Sequence, residues 1–465
     1  MSSHADWTAR VWAGAEGPVE PTIDTIAAIA TPPGRGAVGI VRLSGPGATI
    51  VAGRLVGQLP PPRHAALRDF HAGDGTTLDR GIVLYFPAPH SYTGEDVIEL
   101  QGHGGQVITE LVLRAALAAG ARQAEAGEFS RRAYLNERLD LAQAEAVADL
   151  INAATEAAAR AAQRSLHGEF SERVSALEQA LIAVRVRVEG ALDFSEEDAN
   201  WFAADLDRAF DVALAQLDAL LRVAQGGRRL TEGFVVALAG RPNAGKSTLL
   251  NRLCGAETAI VTPIPGTTRD VLREAVNLGG LPATVIDTAG LRATTNPIER
   301  EGVARARKAF SACELLLYLV DGRHGLTLND RQLLDSLPHN VPRIIVFTKL
   351  DLMQPDDMAV RGAGDTASIS AVTGAGLEDL VARIRTLAGV ADNASTYSTR
   401  SRHIEALQRT RENVLQARAR LQAREAAELA AEDLRVAQRA LGEICGRFEN
   451  EALLGRIFAG FCVGK

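Results

Sequence analysis

The sequence predicts a multidomain α/β protein in which a domain with a mostly parallel sheet is inserted into an all-α helical domain. Its 465 residues correspond to about three domains. Between residues 233 and 390, short continuous apolar runs alternate with helical stretches, as in a parallel sheet buried on both faces. The sequence before and after this region is rich in Ala, Glu and Leu, with apolar residues at helical spacing. The expected parts are a disordered tail (1–21), an α+β domain (22–137), a first helical part (138–232), the inserted domain (233–390) and a second helical part (391–465).

Composition excludes several classes of protein. An apolar fraction of 46% and a charged fraction of 23% are ordinary for a globular protein and exclude wholesale disorder. The net charge of −7 argues against coating nucleic acid by bulk charge, so an RNA contact requires a local patch. No apolar stretch is long enough to span a bilayer, and the predicted tail lacks the apolar run of a secretory signal. Widely spaced cysteines indicate reduced thiols and a cytoplasmic protein: Cys254, Cys313, Cys445 and Cys462.

Apolar periodicity predicts the individual elements. In the α+β domain it predicts four strands and one helix: Ile23–Ala30, Ala37–Leu43, Gly81–Phe86, Val97–Leu100 and the helix Val107–Ala119. In the first helical part it predicts three helices, followed by a break at Gly226-Gly227: Leu141–Leu166, Phe170–Leu192 and Ala204–Val223. In the inserted domain it predicts four buried strands: Phe234–Ala239, Ala283–Ile286, Leu315–Val320 and Arg343–Phe347.

The segment Gly240–Ser247 has the spacing GxxxxGK[ST], follows a predicted strand and opens a predicted helix. In that context backbone N–H groups close around phosphate oxygens. Lys246 reaches the β- and γ-phosphates, and the Ser247 hydroxyl is suited to Mg²⁺. The sequence therefore predicts a phosphate-binding loop at this place.

Four further motifs stand in the order of a guanine-nucleotide domain. Gly266–Asp270 offers a threonine that can complete the Mg²⁺ shell. In Asp287–Gly290, the carboxylate can hold Mg²⁺ through water and the Gly290 N–H can bind the γ-phosphate. Asp351 can accept hydrogen bonds from the N1–H and amine of guanine, which adenine lacks, although Thr348 stands where asparagine is usual. Ser370-Ala371, after a short predicted strand, can donate a backbone N–H to the guanine carbonyl. The predicted GTP-binding residues are Asn243, Ala244, Gly245, Lys246, Ser247, Thr248, Thr262, Pro263, Ile264, Pro265, Gly266, Thr267, Thr268, Asp287, Thr288, Ala289, Gly290, Thr348, Lys349, Asp351, Ser370 and Ala371.

GTP hydrolysis needs a group that orients water and a positive charge near the β–γ bridge. Leu291 stands where Ras-like enzymes have a glutamine, so another group must act. The downstream loop offers Glu299, with Arg300 and Glu301 as its neighbours, and a solvated helix start is the alternative for each. The Asn243 amide and the backbone carbonyls of Thr262–Gly266 offer neutral oxygens that suit a large monovalent cation.

Together these residues resemble the MnmE (TrmE) family of tRNA-modification GTPases from about residue 24 to 465. The specific segments are ATPPGRGAVGIVRLSG (30–45), SYTGEDVIELQGHGG (91–105), GEFSRRAYLNERLDLAQAEAVADLI (127–151), AIVTPIPGTTRDV (259–271), DTAGLR (287–292) and LLGRIFAGFCVGK (453–465). The resemblance implies an N-terminal folate-binding and dimerising domain, a split helical domain and an inserted Ras-like P-loop GTPase domain. It also implies a potassium-stimulated GTPase.

The resemblance further implies that a flavoprotein, MnmG (GidA), is the partner in a heterotetrameric or larger complex. Together they would install a 5-aminomethyl or 5-carboxymethylaminomethyl group on the wobble uridine of tRNA. A homodimer would form through the N-terminal domain. The implied cofactors are GTP, Mg²⁺, K⁺ and a tetrahydrofolate derivative in its 5-formyl or 5,10-methylene form.

The family's functional residues fall on particular positions of this chain. Its magnesium ligands fall on Ser247 and Thr268, and its catalytic glutamate falls on Glu299. Pro263 and Pro265 depart from the family's usual residues, but the carbonyls that would hold the cation remain. The remaining ligands fall on Asn243, Thr262, Ile264 and Thr267 for potassium, and on Arg42, Glu99, Arg138 and Lys465 for folate.

Several alternatives stay open at this point. On the residues alone, each folate candidate is also compatible with a surface ion pair. Cys462 can be a reactive thiol, or a packed or merely exposed one, and His103 can be a catalytic or a structural residue. The arginine-rich stretch Arg400–Arg424 fits a solvated helix face, or a contact with tRNA or an acidic partner. A ribosome-assembly GTPase without modification activity is the alternative function, and a degenerate scaffold disagrees with the intact nucleotide motifs.

Overall fold

The chain forms two compact units. By its contacts, one consists of Met1–Leu139 with Asn450–Lys465, and the other of Asp140–Glu449. The predicted fold class, a multidomain α/β protein with helical parts and a mostly parallel sheet, is confirmed. The five-part division is finer than these two units and stays a prediction, and the tail expected at 1–21 lies outside the described residues. The computed structural model describes residues 24–190, 199–255, 273–287, 313–335, 337, 340–353, 365–390, 396–423, 426–447 and 451–464.

The described residues form twelve strands and thirteen α-helices. The strands are β1 (Ile26–Ile29), β2 (Gly36–Ser44), β3 (Ala66–His71), β4 (Thr77–Phe86), β5 (Val97–Gly104), β6 (Arg122–Gln123), β7 (Phe234–Gly240), β8 (Arg273–Leu278), β9 (Leu281–Asp287), β10 (Leu315–Asp321), β11 (Arg343–Thr348) and β12 (Thr366–Ser368). The helices are α1 (Ala48–Val56), α2 (Gln106–Ala118), α3 (Glu128–Leu135), α4 (Leu141–Asn152), α5 (Glu156–Leu166), α6 (Glu169–Gly190), α7 (Ala199–Glu232), α8 (Lys246–Gly255), α9 (Leu328–Asp335), α10 (Leu377–Leu387), α11 (Ser401–Gln422), α12 (Ala427–Cys445) and α13 (Glu451–Ala459).

The first unit is built on a six-stranded sheet with the order β3-β4-β5-β2-β1-β6. Neighbouring strands in this sheet are antiparallel, except for β1 and β6, which are parallel. Val41 and Leu43 of β2 belong to a core that α1 and α2 complete. Because successive side chains of a strand point to opposite faces, Arg42 lies on the other face, directly across from Glu99 of β5.

The second unit contains a six-stranded sheet with the order β12-β11-β10-β7-β9-β8, in which only β8 is antiparallel to its neighbour. Its central strand β10 is buried from Leu315 to Val320, as the continuous apolar run predicts. The four strands predicted for this region are confirmed within two residues at each end. The carboxyl ends of β7, β11 and β12 lie along one edge, the edge at which ligands bind in open parallel sheets.

Helices α4 to α7, α11 and α12 also belong to the second unit. Buried residues such as Phe170, Phe210 and Leu407 form a core shared by α4, α6, α7, α11 and α12. The prediction of one helix over Leu141–Leu166 is wrong, because the chain forms two helices there, α4 and α5. Thr155 is the N-cap of α5: its Oγ1 accepts a hydrogen bond from Ala158 N at 3.2 Å. The same hydroxyl donates to the Gly280 carbonyl at 2.8 Å, in the turn between β8 and β9.

The break predicted at Gly226-Gly227 is also wrong, because both glycines lie inside the long helix α7. Their lack of a side chain serves close packing. A Cβ on Gly226 would lie 2.6 Å from the Gly389 carbonyl oxygen, and one on Gly227 would overlap the Tyr397 carbonyl oxygen. The segment that contains Tyr397 is held against α7 by Thr399, whose Oγ1 donates to Ala224 O at 2.5 Å. Glycine is therefore needed at these two positions, because the backbone of α7 lies directly against the backbone at Gly389 and Tyr397.

Candidate functional site

The phosphate loop connects β7 to α8. Gly240 has φ of 139°, and a Cβ there would overlap the Leu319 carbonyl oxygen of the adjacent strand β10, so only glycine fits. Asn243 adopts a left-handed conformation with φ of 62° and is exposed at the loop surface. Lys246 Nζ donates to the carbonyls of Gly240 and Arg241 at 2.9 and 3.0 Å, which holds the ammonium group over the loop. Ser247 and Thr248 are exposed in the first turn of α8.

The segments expected to recognise guanine follow β11 and β12. Thr348 ends β11 and is buried, whereas Asp351 is exposed within the 3₁₀ turn Leu350–Leu352. The amide of Leu350 donates to Ile369 O at 3.0 Å, which joins this turn to the segment after β12. That segment is a tight turn in which Ser370 Oγ accepts a hydrogen bond from Thr373 N at 3.1 Å. The structure thus brings the two segments together.

Lys349 and Asp321 form an ion pair with Nζ and Oδ2 2.7 Å apart. Arg323 also binds Asp321, at 2.7 Å, and its hydrogen bonds, followed by that of Lys349, hold the pKa of the Asp321 carboxyl well below its usual range. A cavity of about 280 Å³ beside the phosphate loop is lined by Asn243, Asp321 and Lys349, among others. Sequence analysis missed Asp321. A polar residue directly after the buried run Leu315–Val320 was the available signal.

Part of the predicted GTP site lies outside the described residues. Asp287 ends β9, but only its backbone is described there. The other predicted residues that lie outside the described residues are Thr262, Pro263, Ile264, Pro265, Gly266, Thr267, Thr268, Thr288, Ala289, Gly290 and Glu299.

In the first unit, Arg42 and Glu99 form a largely buried ion pair. Arg42 Nη2 and Nε lie 2.8 and 3.1 Å from Glu99 Oε1. Gln101 Nε2 donates to the other carboxylate oxygen at 3.0 Å, so both oxygens are held in place. The Arg42 guanidinium lies 5.7 and 5.8 Å from the ring centroids of Tyr92 and Phe129. Sequence analysis missed these three neighbours, because only strand register and helix packing bring them to the pair.

The C-terminal segment reaches the same place. Arg42 Nη1 lies 3.5 Å from the Gly464 carbonyl oxygen. Gly464 has φ of 98°, and a Cβ on it would overlap the Ile29 carbonyl oxygen of β1. The amide of Gly127 donates to Cys462 O at 3.3 Å. The segment that carries Cys462 and Lys465 therefore runs along the sheet, although Lys465 itself lies outside the described residues.

The other candidates take different positions. Arg138 packs beside the glycine loop of the SYTGEDVIELQGHGG segment, where a Cβ on Gly94 would lie 3.3 Å from Arg138 Cγ. Cys462 is exposed, and all four cysteines are free thiols. His103 is exposed, and its Nδ1 lies 2.7 Å from Asp79 Oδ1. Asp79 also accepts a hydrogen bond from the His103 amide at 2.7 Å, so this pair fixes the end of β5.

The arginine-rich stretch is neutralised within the second unit. Six of its arginines pair with acids, mostly of neighbouring helices: Arg400 with Asp149, Arg402 with Glu145, Arg409 with Glu443, Arg411 with Asp218, Arg418 with Asp211 and Arg420 with Asp433. Arg424 lies outside the described residues. These pairs favour an ordinary helix face over a surface that binds tRNA. In the described part of the chain no helix is long and apolar enough to cross a membrane.

A phosphate loop at the carboxyl edge of an open parallel sheet, beside two segments suited to a guanine base, defines a P-loop GTPase. Comparison with known families agrees. The family described as "MnmE helical domain" matches residues 141–462, and that described as "GTP-binding protein TrmE N-terminus" matches residues 25–138. The chain belongs to the MnmE family of tRNA modification GTPases, which confirms the resemblance seen in the sequence.

Relatives named "tRNA modification GTPase MnmE" match along almost the whole chain. That of Nitrosomonas europaea is 49% identical over 447 residues, which are 95% of this chain and 99% of the relative. That of Methylococcus capsulatus is 50% identical over 448 residues, 96% of this chain and 99% of the relative. A crystal structure of Aquifex aeolicus Era bound to GDP and AlF₄⁻ is 26% identical and covers 38% of this chain and 66% of its own, with a TM-score of 0.28.

Proposed function

We propose that this GTPase is stimulated by potassium and acts with the flavoprotein MnmG (GidA) on the wobble uridine of tRNA. The product would be a 5-aminomethyl or 5-carboxymethylaminomethyl uridine whose methylene carbon comes from a tetrahydrofolate in 5-formyl or 5,10-methylene form. The Arg42–Glu99 pair beside the C-terminal segment is the observation that carries the proposal, because it offers a site for folate that a simple nucleotide switch does not need.

The residues around this pair have the chemistry of a pterin site. A pterin ring presents an amide N–H beside an amine, which one carboxylate can accept together, and Glu99 is fixed for that task by its neighbours. The half-buried ring of Tyr92 provides a flat apolar surface near Arg42, and the fully buried ring of Phe129 packs beside the same guanidinium. The anionic glutamyl tail of the folate requires cations, and Arg138 and Lys465 are our candidates.

At the GTP site we propose Ser247 and Thr268 as magnesium ligands, and Asn243, Thr262, Ile264 and Thr267 as potassium ligands. The exposed hydroxyl of Ser247 and the exposed amide of Asn243 support the two described members of these sets. Bound cations would supply positive charge beside the phosphates. Glu299 is proposed to position the attacking water.

We further propose that the first unit dimerises through the face of its sheet that carries Arg42. Three apolar side chains on strands β2, β3 and β4 support this, since Val38, Leu67 and Ile82 are 54%, 56% and 41% exposed. The complex with MnmG would be heterotetrameric or larger and cytoplasmic, and would bind tRNA. Residues 22–137 would form the folate-binding domain, 233–390 the GTPase domain, and 138–232 with 391–465 the split helical domain.

Calorimetric titration of the whole protein with 5-formyltetrahydrofolate tests the proposal. We expect binding that Glu99→Gln weakens by at least about tenfold, since a charge-assisted contact is lost. Asp69→Asn is the matched control, because Asp69 lies on the same sheet in an exposed pair with Arg80, and it should leave the affinity unchanged. An absence of folate binding by the wild-type protein would reject the proposal and favour the alternative, a ribosome-assembly GTPase.

A further inference from the structure

Thr348 stands at the end of β11, where GTPase motifs usually have an asparagine. Its side chain is buried, at 2% exposure. Its hydroxyl donates to two carbonyl oxygens, that of Ala244 at 2.8 Å and that of Val320 at 3.1 Å. A hydroxyl has one proton to donate, so these two acceptors use its donor capacity fully.

The two acceptors belong to different segments of the nucleotide site. Ala244 lies in the phosphate loop, and a Cβ on the next residue, Gly245, would lie 3.6 Å from Thr348 Cβ. The loop therefore passes directly over Thr348. Val320 precedes Asp321, the partner of Lys349. Thr348 is thus the point at which the phosphate loop, the end of β10 and the segment that recognises the base are joined.

The hydrogen bond to Ala244 has a consequence for phosphate binding. The carbonyl of Ala244 and the N–H of Gly245 belong to one planar peptide group, so fixing the oxygen fixes the direction of the N–H. That N–H precedes the first turn of α8, where backbone amides bind anions. We propose that Thr348 is a positioning residue, whose hydroxyl orients the phosphate loop while selection of the base is left to Asp351.

The test compares the affinities of variants of the whole protein for GDP and IDP, because inosine lacks the exocyclic amine that Asp351 would bind. Thr348→Val keeps the volume but removes the donor. It should lower the affinities for GDP and for IDP by the same factor of about tenfold, which is the effect of losing one buried hydrogen bond. Thr348→Ser keeps the hydroxyl and should bind both nucleotides as the wild type does. Asp351→Asn should instead abolish the preference for GDP over IDP.

Amide hydrogen exchange separates a local effect from a loss of fold. In Thr348→Val we expect faster exchange at residues 245–247 with the core strands unchanged. Should that variant fail to fold, Thr348→Ala removes the same donor without the branched apolar side chain and is measured in its place. Unchanged GDP affinity in the variant that lacks the hydroxyl, a loss larger for GDP than for IDP, or faster exchange throughout the sheet would overturn the proposal.

Discussion

His403 and Glu145 face each other in the helical core of the second unit, with Nε2 and Oε2 2.9 Å apart and both side chains 2% exposed. The other ring nitrogen of His403, Nδ1, accepts a hydrogen bond from the Arg400 amide at 3.1 Å. An imidazole that accepts at Nδ1 carries its proton on Nε2, so His403 is neutral. Arg402 compensates the Glu145 carboxylate with two hydrogen bonds of 2.8 and 2.6 Å.

The first prediction concerns pH. Burial, and then the charge of Arg402, lower the pKa of His403 below the value of about 6.5 of a solvated histidine. The unfolded chain therefore binds more protons than the folded chain as the pH falls below about 6.5, and stability decreases in that direction. We expect the NMR titration of His403 to have its midpoint below that of free histidine. His403→Asn should also reduce the slope of thermal stability between pH 7 and 5. A midpoint at or above about 6.5 would contradict this assignment.

The second prediction concerns Glu145. Burial raises the pKa of its carboxyl, but the hydrogen bonds from the neutral His403 and from Arg402, together with the charge of Arg402, lower it by more, so it stays ionised at neutral pH. Glu145→Gln leaves Arg402 without its counter-ion and should cost about 3 kcal/mol. In Glu156→Gln an exposed pair with Arg160 is lost, and the cost should stay below about 1 kcal/mol. Thermal unfolding at pH 7 measures both. Equal shifts in the two variants would show that the buried pair does not stabilise the helical core.

The sequence could predict most of the GTPase sheet because each central strand is a continuous apolar run that ends in a polar motif. It could not predict features that depend on partners far along the chain. Thr155, which separates α4 from α5, bonds to Gly280, and the strand pairing of Arg42 with Glu99 is likewise not visible in spacing. The short elements β3, β8, α1 and α3 were not predicted from the sequence. Their apolar and polar residues follow a weak periodic pattern, or they contain glycine and charged residues.

The third prediction tests the glycines inside α7. Gly227→Ala places a methyl group on the Tyr397 carbonyl, so the crossing segment must move, and we expect a loss of about 2 kcal/mol or more. Gly53→Ala is the matched control: this glycine is also inside a helix, α1, but apart from its own helix backbone no atom lies within 4 Å of its added Cβ. It should gain about 0.5–1 kcal/mol from helix propensity alone. A stabilised Gly227→Ala protein would mean that the two backbones do not cross as described.

The fourth prediction concerns Asn243. Its φ of 62° makes glycine the suitable replacement, since alanine would add backbone strain to the loss of the amide. We expect Asn243→Gly to retain GTP binding and to lose the stimulation of hydrolysis by potassium over sodium at equal ionic strength. Asn340→Ala changes an exposed asparagine before β11, at the opposite edge of the sheet, and should keep the stimulation. If wild-type rates were equal in the two salts, the potassium proposal would be withdrawn while the GTPase assignment remained.

The fifth prediction links the C-terminal segment to the proposed folate site. Gly464 needs its positive φ and has no space for a side chain against Ile29, so Gly464→Ala should displace the end of the chain from Arg42. We expect weaker binding of 5-formyltetrahydrofolate, because Lys465, a proposed folate ligand, would then be displaced, together with unchanged GTP affinity. Gly460→Ala is the control, since a Cβ there lies at an ordinary 3.5 Å from Ile457 O. Undiminished folate affinity in Gly464→Ala would show that the ligand is held by the sheet residues without help from the C-terminal segment.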